Sequence, residues 1–198
     1  MSHSRVTTLD MKLLVVVVFA LLTNPAKAEI LDEERLAKAL TELPQIRLDL
    51  DTARQLVSLT TAATADTDLD PVTLLAQMYF ESRFVPASTS RLIDGKRQTG
   101  PWWSSKPPEG WSGTLYCGIS QTVALTWKRC LALREPEAAI EAQVRELSNW
   151  MVRAKGDTTK ALGGYGCGNA GLTNGCRNYA GRVLRLVRKL RLLVIPMS

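Results

Sequence analysis

Apolar residues recur at three- and four-residue steps along most of this chain, which is the period of an α-helix. Ile30, Leu31, Leu36, Ala39, Leu40 and Leu43 predict a helix over 30–43, which Pro44 ends. A segment from Leu48 to Leu59 continues in the same manner, and Thr60 to Thr67 reads as a small-residue linker. The next helix is better marked. Asp70 is a good N-cap, Pro71 suits the first helical position, and Val72 to Ser82 runs helically towards Pro86. On it Leu74, Met78 and Glu81 fall at steps of four and three, so a glutamate shares the apolar stripe. Residues 88–116 are rich in glycine and proline and hold Trp102, Trp103 and Trp111, which predicts a long irregular insertion. Helical character resumes from Ser120 to Leu133 and again after Pro136, where Ile140, Val144, Leu147 and Met151 make an apolar face. Gly163 to Gly175 reads as a glycine-rich loop and Arg177 to Ile195 as a final helix. No stretch keeps a two-residue alternation, so the expected class is mainly α.

The first 28 residues follow a different pattern. Met11-Lys12 precedes ten uninterrupted apolar residues, Leu13 to Leu22, then Thr23-Asn24-Pro25 and an A-x-A sequence, Ala26-Lys27-Ala28. A charged start, a short apolar run and a small-residue exit describe a secretory signal peptide cleaved after Ala28, with Met11 as an alternative start. The run is too short for a bilayer, which takes about 20 residues. Residues 29–67 then form an N-terminal helical segment with its linker, and 68–195 the main domain.

Export frames the rest of the composition. The net charge of +6 falls to about +4 without the leader, a mild excess that suits an anionic partner such as a bacterial wall, though nucleic acid or acidic lipid would suit it too. All four cysteines, Cys117, Cys130, Cys167 and Cys176, lie in the exported part, and an even count in an oxidising compartment suggests two disulfides. Of three connectivities, the sequence-local pairs 117–130 and 167–176 are favoured. The single histidine, His3, lies in the leader. That removes Ser-His-Asp and Cys-His catalysis and histidine-ligated zinc from the mature protein, and leaves carboxylates as the chemistry. No metal site, nucleotide loop or cofactor motif is present in the sequence, and no cofactor is expected.

Glu81 is the first candidate. A carboxyl group on the apolar stripe at a helix end is partly desolvated, which favours the protonated form that a general acid needs. Its surroundings carry a resemblance. Glu81-Ser82-Arg83-Phe84-Val85-Pro86-Ala87-Ser88 resembles the E-S-x-F-x-P motif of soluble-lytic-transglycosylase-like domains, members of the lysozyme-like superfamily. Gly118-Ile119-Ser120-Gln121 is similar to the family's G-L-M-Q segment, and Ala161 to Gly168 to its A-x-x-Y-N-x-G loop. Asn178-Tyr179-Ala180-Gly181-Arg182-Val183-Leu184 resembles the closing Y-x-x-x-V-L helix. The four blocks stand in the family's order across about residues 68–190.

The resemblance implies a lysozyme-like helical domain with a groove for peptidoglycan strands. It assigns to Glu81 the protonation of the bond between N-acetylmuramic acid and N-acetylglucosamine, and then deprotonation of the muramic C6 hydroxyl to close a 1,6-anhydro ring. Ser82 would support Glu81. Gly118, Ile119 and Gln121 would line the groove and meet the sugar N-acetyl groups, and Tyr165 and Tyr179 would sit near the glutamate. Three departures stand out: Gly166 where the family often has asparagine, Ser120 for methionine, and a much longer link between Ser88 and Gly118. Trp102 and Trp103 in that link are candidates for stacking on sugar rings. Asp94 and Glu109 keep open a hydrolytic, lysozyme-like muramidase with two carboxylates. A wall-binding assembly protein of weak catalysis is the remaining alternative.

The expected partner is therefore peptidoglycan rather than nucleic acid, with a secretion, conjugation or phage apparatus as a further candidate. The closing helix carries Arg177, Arg182, Arg185, Arg188, Lys189 and Arg191 with no acidic residue. A core-packed helix with a solvated basic face is favoured there over one lying on a membrane.

Overall fold

The computed structural model describes residues 31–93, 96–99, 114–172 and 176–194. Its described part is mainly helical: α1 (Glu33–Thr41), α2 (Leu50–Thr64), α3 (Pro71–Ser82), α4 (Trp127–Ala132), α5 (Pro136–Arg153), α6 (Thr158–Cys167) and α7 (Arg177–Val194). Short strands β1 (Thr89–Ile93), β2 (Lys96–Thr99), β3 (Leu115–Cys117) and β4 (Thr122–Ala124) lie between α3 and α4. All belong to one unit, Asp32–Ser198. The signal peptide and its cleavage point at Ala28 fall outside the described residues, as do Asp94, Trp102, Trp103, Glu109 and Trp111.

Local chemistry sets the helix boundaries. Asp32, Asp49, Asp70 and Asp157 each cap a helix by accepting a backbone N–H of its first turn. The α2 helix runs through the expected linker as far as Thr64. It can do so because its threonines bond within the helix: Thr60 Oγ1 donates to the Leu56 carbonyl at 2.6 Å and Thr64 Oγ1 to the Thr60 carbonyl at 2.9 Å, both buried.

α3 is the central helix. Residues Val72 through Tyr79 are all buried, enclosed by α2 on one side and α7 on another. Gln143 of α5 reaches it directly, donating to the Gln77 side-chain oxygen at 2.9 Å and to the Leu74 carbonyl at 3.2 Å. The stripe Ala180, Val183, Leu186, Val187, Leu190 and Val194 of α7 is buried, and α7 packs on α1, α3 and α6. Among the described residues no helix is long and apolar enough to cross a membrane.

Three further expectations need correction. The segment after Ser88 is not wholly irregular, since β1 pairs antiparallel with both β2 and β3 in a sheet of order β2-β1-β3-β4. Residues 120–126 are not helical: Gly118 (φ 76°) and Gln121 (φ 50°) make a tight turn, and Thr122 to Ala124 pairs back on β3 as a strand. Strands of three residues are too short to show a period. Finally, the glycines from Gly163 to Gly166 lie in a helix, because close packing requires them. A Cβ on Gly163 would come 2.5 Å from the Gly171 carbonyl oxygen, and one on Gly164 would come 2.3 Å from the Trp150 ring.

Both favoured disulfides form. Cys117–Cys130 ties β3 to α4 across a Cα–Cα distance of 5.3 Å, and Cys167–Cys176 ties the end of α6 to the start of α7 across 6.2 Å. The first is fully buried in a small core with Leu115, Ala124, Leu133 and Ala142.

Candidate active site

The site begins at the C-terminal end of α3. Arg83 caps that helix in the left-handed conformation (φ 59°), and Phe84 follows at φ 61°. Two such residues in succession are rare outside glycine, and here two contacts compensate. The Arg83 guanidinium lies 4.1 Å from the centre of the Tyr79 ring. The Phe84 side chain is buried. The sharp reversal ends the helix one residue after Glu81, which leaves Glu81 and Ser82 half-buried at its rim.

Glu81 is held from across the fold. The Tyr179 phenol of α7 donates to Glu81 Oε1 at 2.5 Å. Burial, then the charge on Glu81 and the hydrogen bond to it, push the Tyr179 hydroxyl well above its ordinary range. It therefore stays neutral and available as a donor. The Tyr165 hydroxyl of α6 donates to the Ser120 carbonyl at 2.8 Å. It is pushed up in the same way, by burial first and then by the charges of Glu146 and Glu81. Ser82 Oγ donates to the Ile119 carbonyl at 2.6 Å, fastening the end of α3 to the turn before β4.

That turn is held from within. The Gly118 N–H donates to the Ser88 carbonyl at 3.0 Å. Gly118 has no substitute, because a Cβ there would come 1.9 Å from the Leu133 carbonyl oxygen. Gln121 is buried with its amide engaged on both sides. Its oxygen accepts from Ser90 Oγ at 2.8 Å, and its nitrogen donates to the Ser88 and Gly118 carbonyls at 3.0 and 3.1 Å. Ile119 turns its side chain into the core. Both side chains are therefore committed inside the fold, and the turn meets the end of α3 through the Ile119 carbonyl that Ser82 Oγ reaches.

No family model, curated protein or solved structure matches this chain.

The residues themselves therefore carry the functional argument. The structure brings Glu81, Ser82, Tyr165, Tyr179 and the 118–121 turn together from four separated stretches of sequence. Gly166, where asparagine was expected, lies under the Tyr179 ring: a Cβ would approach Tyr179 Cδ1 to 2.9 Å. The missing amide is thus the space that the tyrosine ring occupies. Among the described residues no cluster of three metal-ligating side chains forms.

One member of the group was missed in the sequence. Glu146 of α5 is half-buried and within electrostatic reach of Glu81 and Tyr165. It accepts hydrogen bonds from the Trp150 side chain and the Val123 backbone, while burial, the largest influence, raises its carboxyl above the usual range. The available signal was its position: Gln143, Glu146 and Trp150 recur at steps of three and four on α5, so two polar side chains and an indole share a strip beside the apolar face.

Proposed function

We propose that this protein is an exported peptidoglycan lytic transglycosylase of lysozyme-like fold, with Glu81 as its general acid and base. The observation that carries this reading is the hydrogen bond from Tyr179 to Glu81, spanning 98 residues of sequence. It joins the first and last of the four blocks that resemble the family, and the other two, through Ser82–Ile119 and Tyr165–Ser120, adjoin the same point.

The chemistry follows from one carboxyl group used twice. Protonated Glu81 gives its proton to the glycosidic oxygen; the bond from the muramic C1 to that oxygen breaks and the N-acetylglucosamine side leaves as an alcohol. The muramic C6 hydroxyl oxygen then bonds to C1 while Glu81 takes up its proton. Glu81 ends as it began, and no water is consumed. Tyr179 suits both halves of the cycle, because a neutral hydroxyl donates to a carboxylate and equally to the carbonyl oxygen of the protonated acid, which leaves the acid proton for the glycosidic oxygen. Both disulfides suit an oxidising compartment, in keeping with export to the periplasm or beyond.

Purified sacculi test the proposal. The mature chain is expected to bind and solubilise them, whereas Glu81→Gln binds without solubilising. Binding without solubilisation by the unaltered chain would make it a wall-binding protein instead.

A further inference from the structure

A recess opens at the other end of α3. Asp70 caps the start of that helix and Glu81 follows eleven residues later, near its end. At the rise of an α-helix that separates the two by about 16 Å along the axis. Around Asp70 the loop before α3, the second half of α5, the start of α6 and the outer side of α7 line a cavity of about 600 Å³. That volume is within the usual range of small-ligand sites. Its apolar lining is Leu69, Leu147, Met151, Leu184 and Val187, of which Leu147 and Val187 are buried. Its charged lining is Asp68, Asp70, Arg185, Arg188 and Arg191. These charges are not equivalent. Arg191 is committed to Asp70 at 3.1 Å, and Asp70 also accepts from the Thr73 hydroxyl and from two backbone N–H groups of α3. Asp68, Arg185 and Arg188 are exposed and have no ion pair among the described residues. The Arg185 side chain folds back along α7, so that a Cβ on Gly181, another lining residue, would come 3.6 Å from its Nη1.

The recess therefore offers two guanidinium groups and one carboxylate around a set of apolar side chains. A guanidinium pairs best with a carboxylate, and a lone carboxylate calls for an ammonium. A ligand that answers all three charges has more carboxylates than amines, joined by short apolar groups. We propose that this recess binds the stem peptide of peptidoglycan, with Arg185 and Arg188 on its carboxylates and Asp68 on the ammonium of its diamino acid. This rests on the transglycosylase reading and extends it from the glycan at Glu81 to a peptide held at the far end of α3. A stem of alanine, γ-linked glutamate, diaminopimelate and alanine has that composition: methyl side chains, one free amine and several carboxylates. A purely anionic ligand would set like charge against Asp68. Exposed ion pairs contribute little each, so one stem is held weakly. The many stems of a sacculus then keep the enzyme on the wall between cleavages.

The test titrates that tetrapeptide, acetylated at its N-terminus, into the mature chain and follows the backbone amide signals by NMR. Saturable shifts are expected at Gly181, Arg185 and Thr158. The double variant Arg185→Ala, Arg188→Ala should weaken binding about tenfold, and Asp68→Asn about threefold. Acetylating the diaminopimelate amine should cost the unaltered chain the same threefold and cost Asp68→Asn nothing more. All three side chains are exposed, and the same spectra report that the variants are folded. Shifts that never saturate, shifts confined to the Glu81 end of α3, or equal affinity in the double variant would overturn the proposal. So would equal shifts from acetate alone, which would make the recess a general anion site. Peptide binding needs no cleavage, so this result stands apart from success or failure of the transglycosylase reading. Where sacculi are cleaved, the double variant is expected to show a KM raised about fivefold with kcat unchanged, and to lose that difference on glycan stripped of its peptides. A difference that persists on stripped glycan would contradict a peptide site.

Discussion

Replacing Tyr179 by phenylalanine removes one oxygen and leaves the ring. The ring is the packing element, resting over Gly166 with no room for even a Cβ between them. The oxygen is the chemical element, donating to Glu81 Oε1 at 2.5 Å from a hydroxyl whose neutrality burial secures. A hydrogen bond to a charged group contributes about 1.5–3 kcal/mol. If it is lost mainly from the transition state, where Glu81 must stand in one orientation, the rate falls roughly 10- to 150-fold at 1.36 kcal/mol per decade. Stability changes far less, because Glu81 is half-buried and water can take the vacated place. The assay is initial-rate release of soluble fragments from sacculi at saturating and limiting substrate, with thermal unfolding alongside. The expected result is a lower kcat, a KM within about threefold and a melting temperature within about 3 °C. Unchanged kcat would refute the role given to this bond. A large fall in melting temperature would mean that the hydroxyl supports the fold rather than the glutamate.

Gly118→Ala should destabilise the protein by more than about 2 kcal/mol, from a left-handed backbone together with a Cβ 1.9 Å from the Leu133 carbonyl oxygen; chemical denaturation reads this directly. Gly166→Asn, which introduces the residue usual in the resembling family, should lower activity about tenfold, because the side chain displaces the Tyr179 ring from Glu81; a gain would show that the ring is not seated there. Asp70 caps α3 through Val72 and Thr73 and also pairs with Arg191 of α7 at 3.1 Å. Asp70→Ala should therefore cost about 1–2 kcal/mol, a fall of roughly 2–8 °C by calorimetry. Glu146 gives a stability test through pH. Burial holds its folded carboxyl above the ordinary glutamate value of 4.5, so above that pH the native state retains a proton that the unfolded chain has released. Its contribution is fully present below pH 4.5 and declines as pH rises through the folded value. Glu146→Gln should thus gain stability relative to the unaltered chain on going from pH 4 to 8, in parallel denaturation series.

Much of the fold was legible where one residue settles one boundary. Asp70 and Pro71 mark the start of α3, and the apolar steps of α7 mark a packed helix with a basic outer face. The disulfides followed from cysteine spacing and the expected compartment. Misreadings occurred where local chemistry is ambiguous. Thr60 and Thr64 look like linker residues until their hydroxyls bond back along α2, and Gly163 and Gly164 look like a loop until Gly171 and Trp150 fill the space a side chain would need. At the candidate site, Glu81 was singled out from its place on the apolar stripe and its neighbours, and the tyrosines from resemblance; the fold brings Tyr179 onto Glu81 and Tyr165 onto the turn at Ser120. Glu146 was missed because its importance lies in a neighbour 65 residues away in sequence. Gln121 was expected to meet substrate, whereas its amide binds Ser88, Ser90 and Gly118, a use that only the folded turn reveals.

The most direct test of the central claim is mass spectrometry of the ends that the mature protein and its Glu81→Gln variant leave on glycan released from sacculi. The account predicts 1,6-anhydromuramic ends from the unaltered protein and none from the variant. Reducing ends, or anhydro ends that persist without the Glu81 carboxyl, would contradict it.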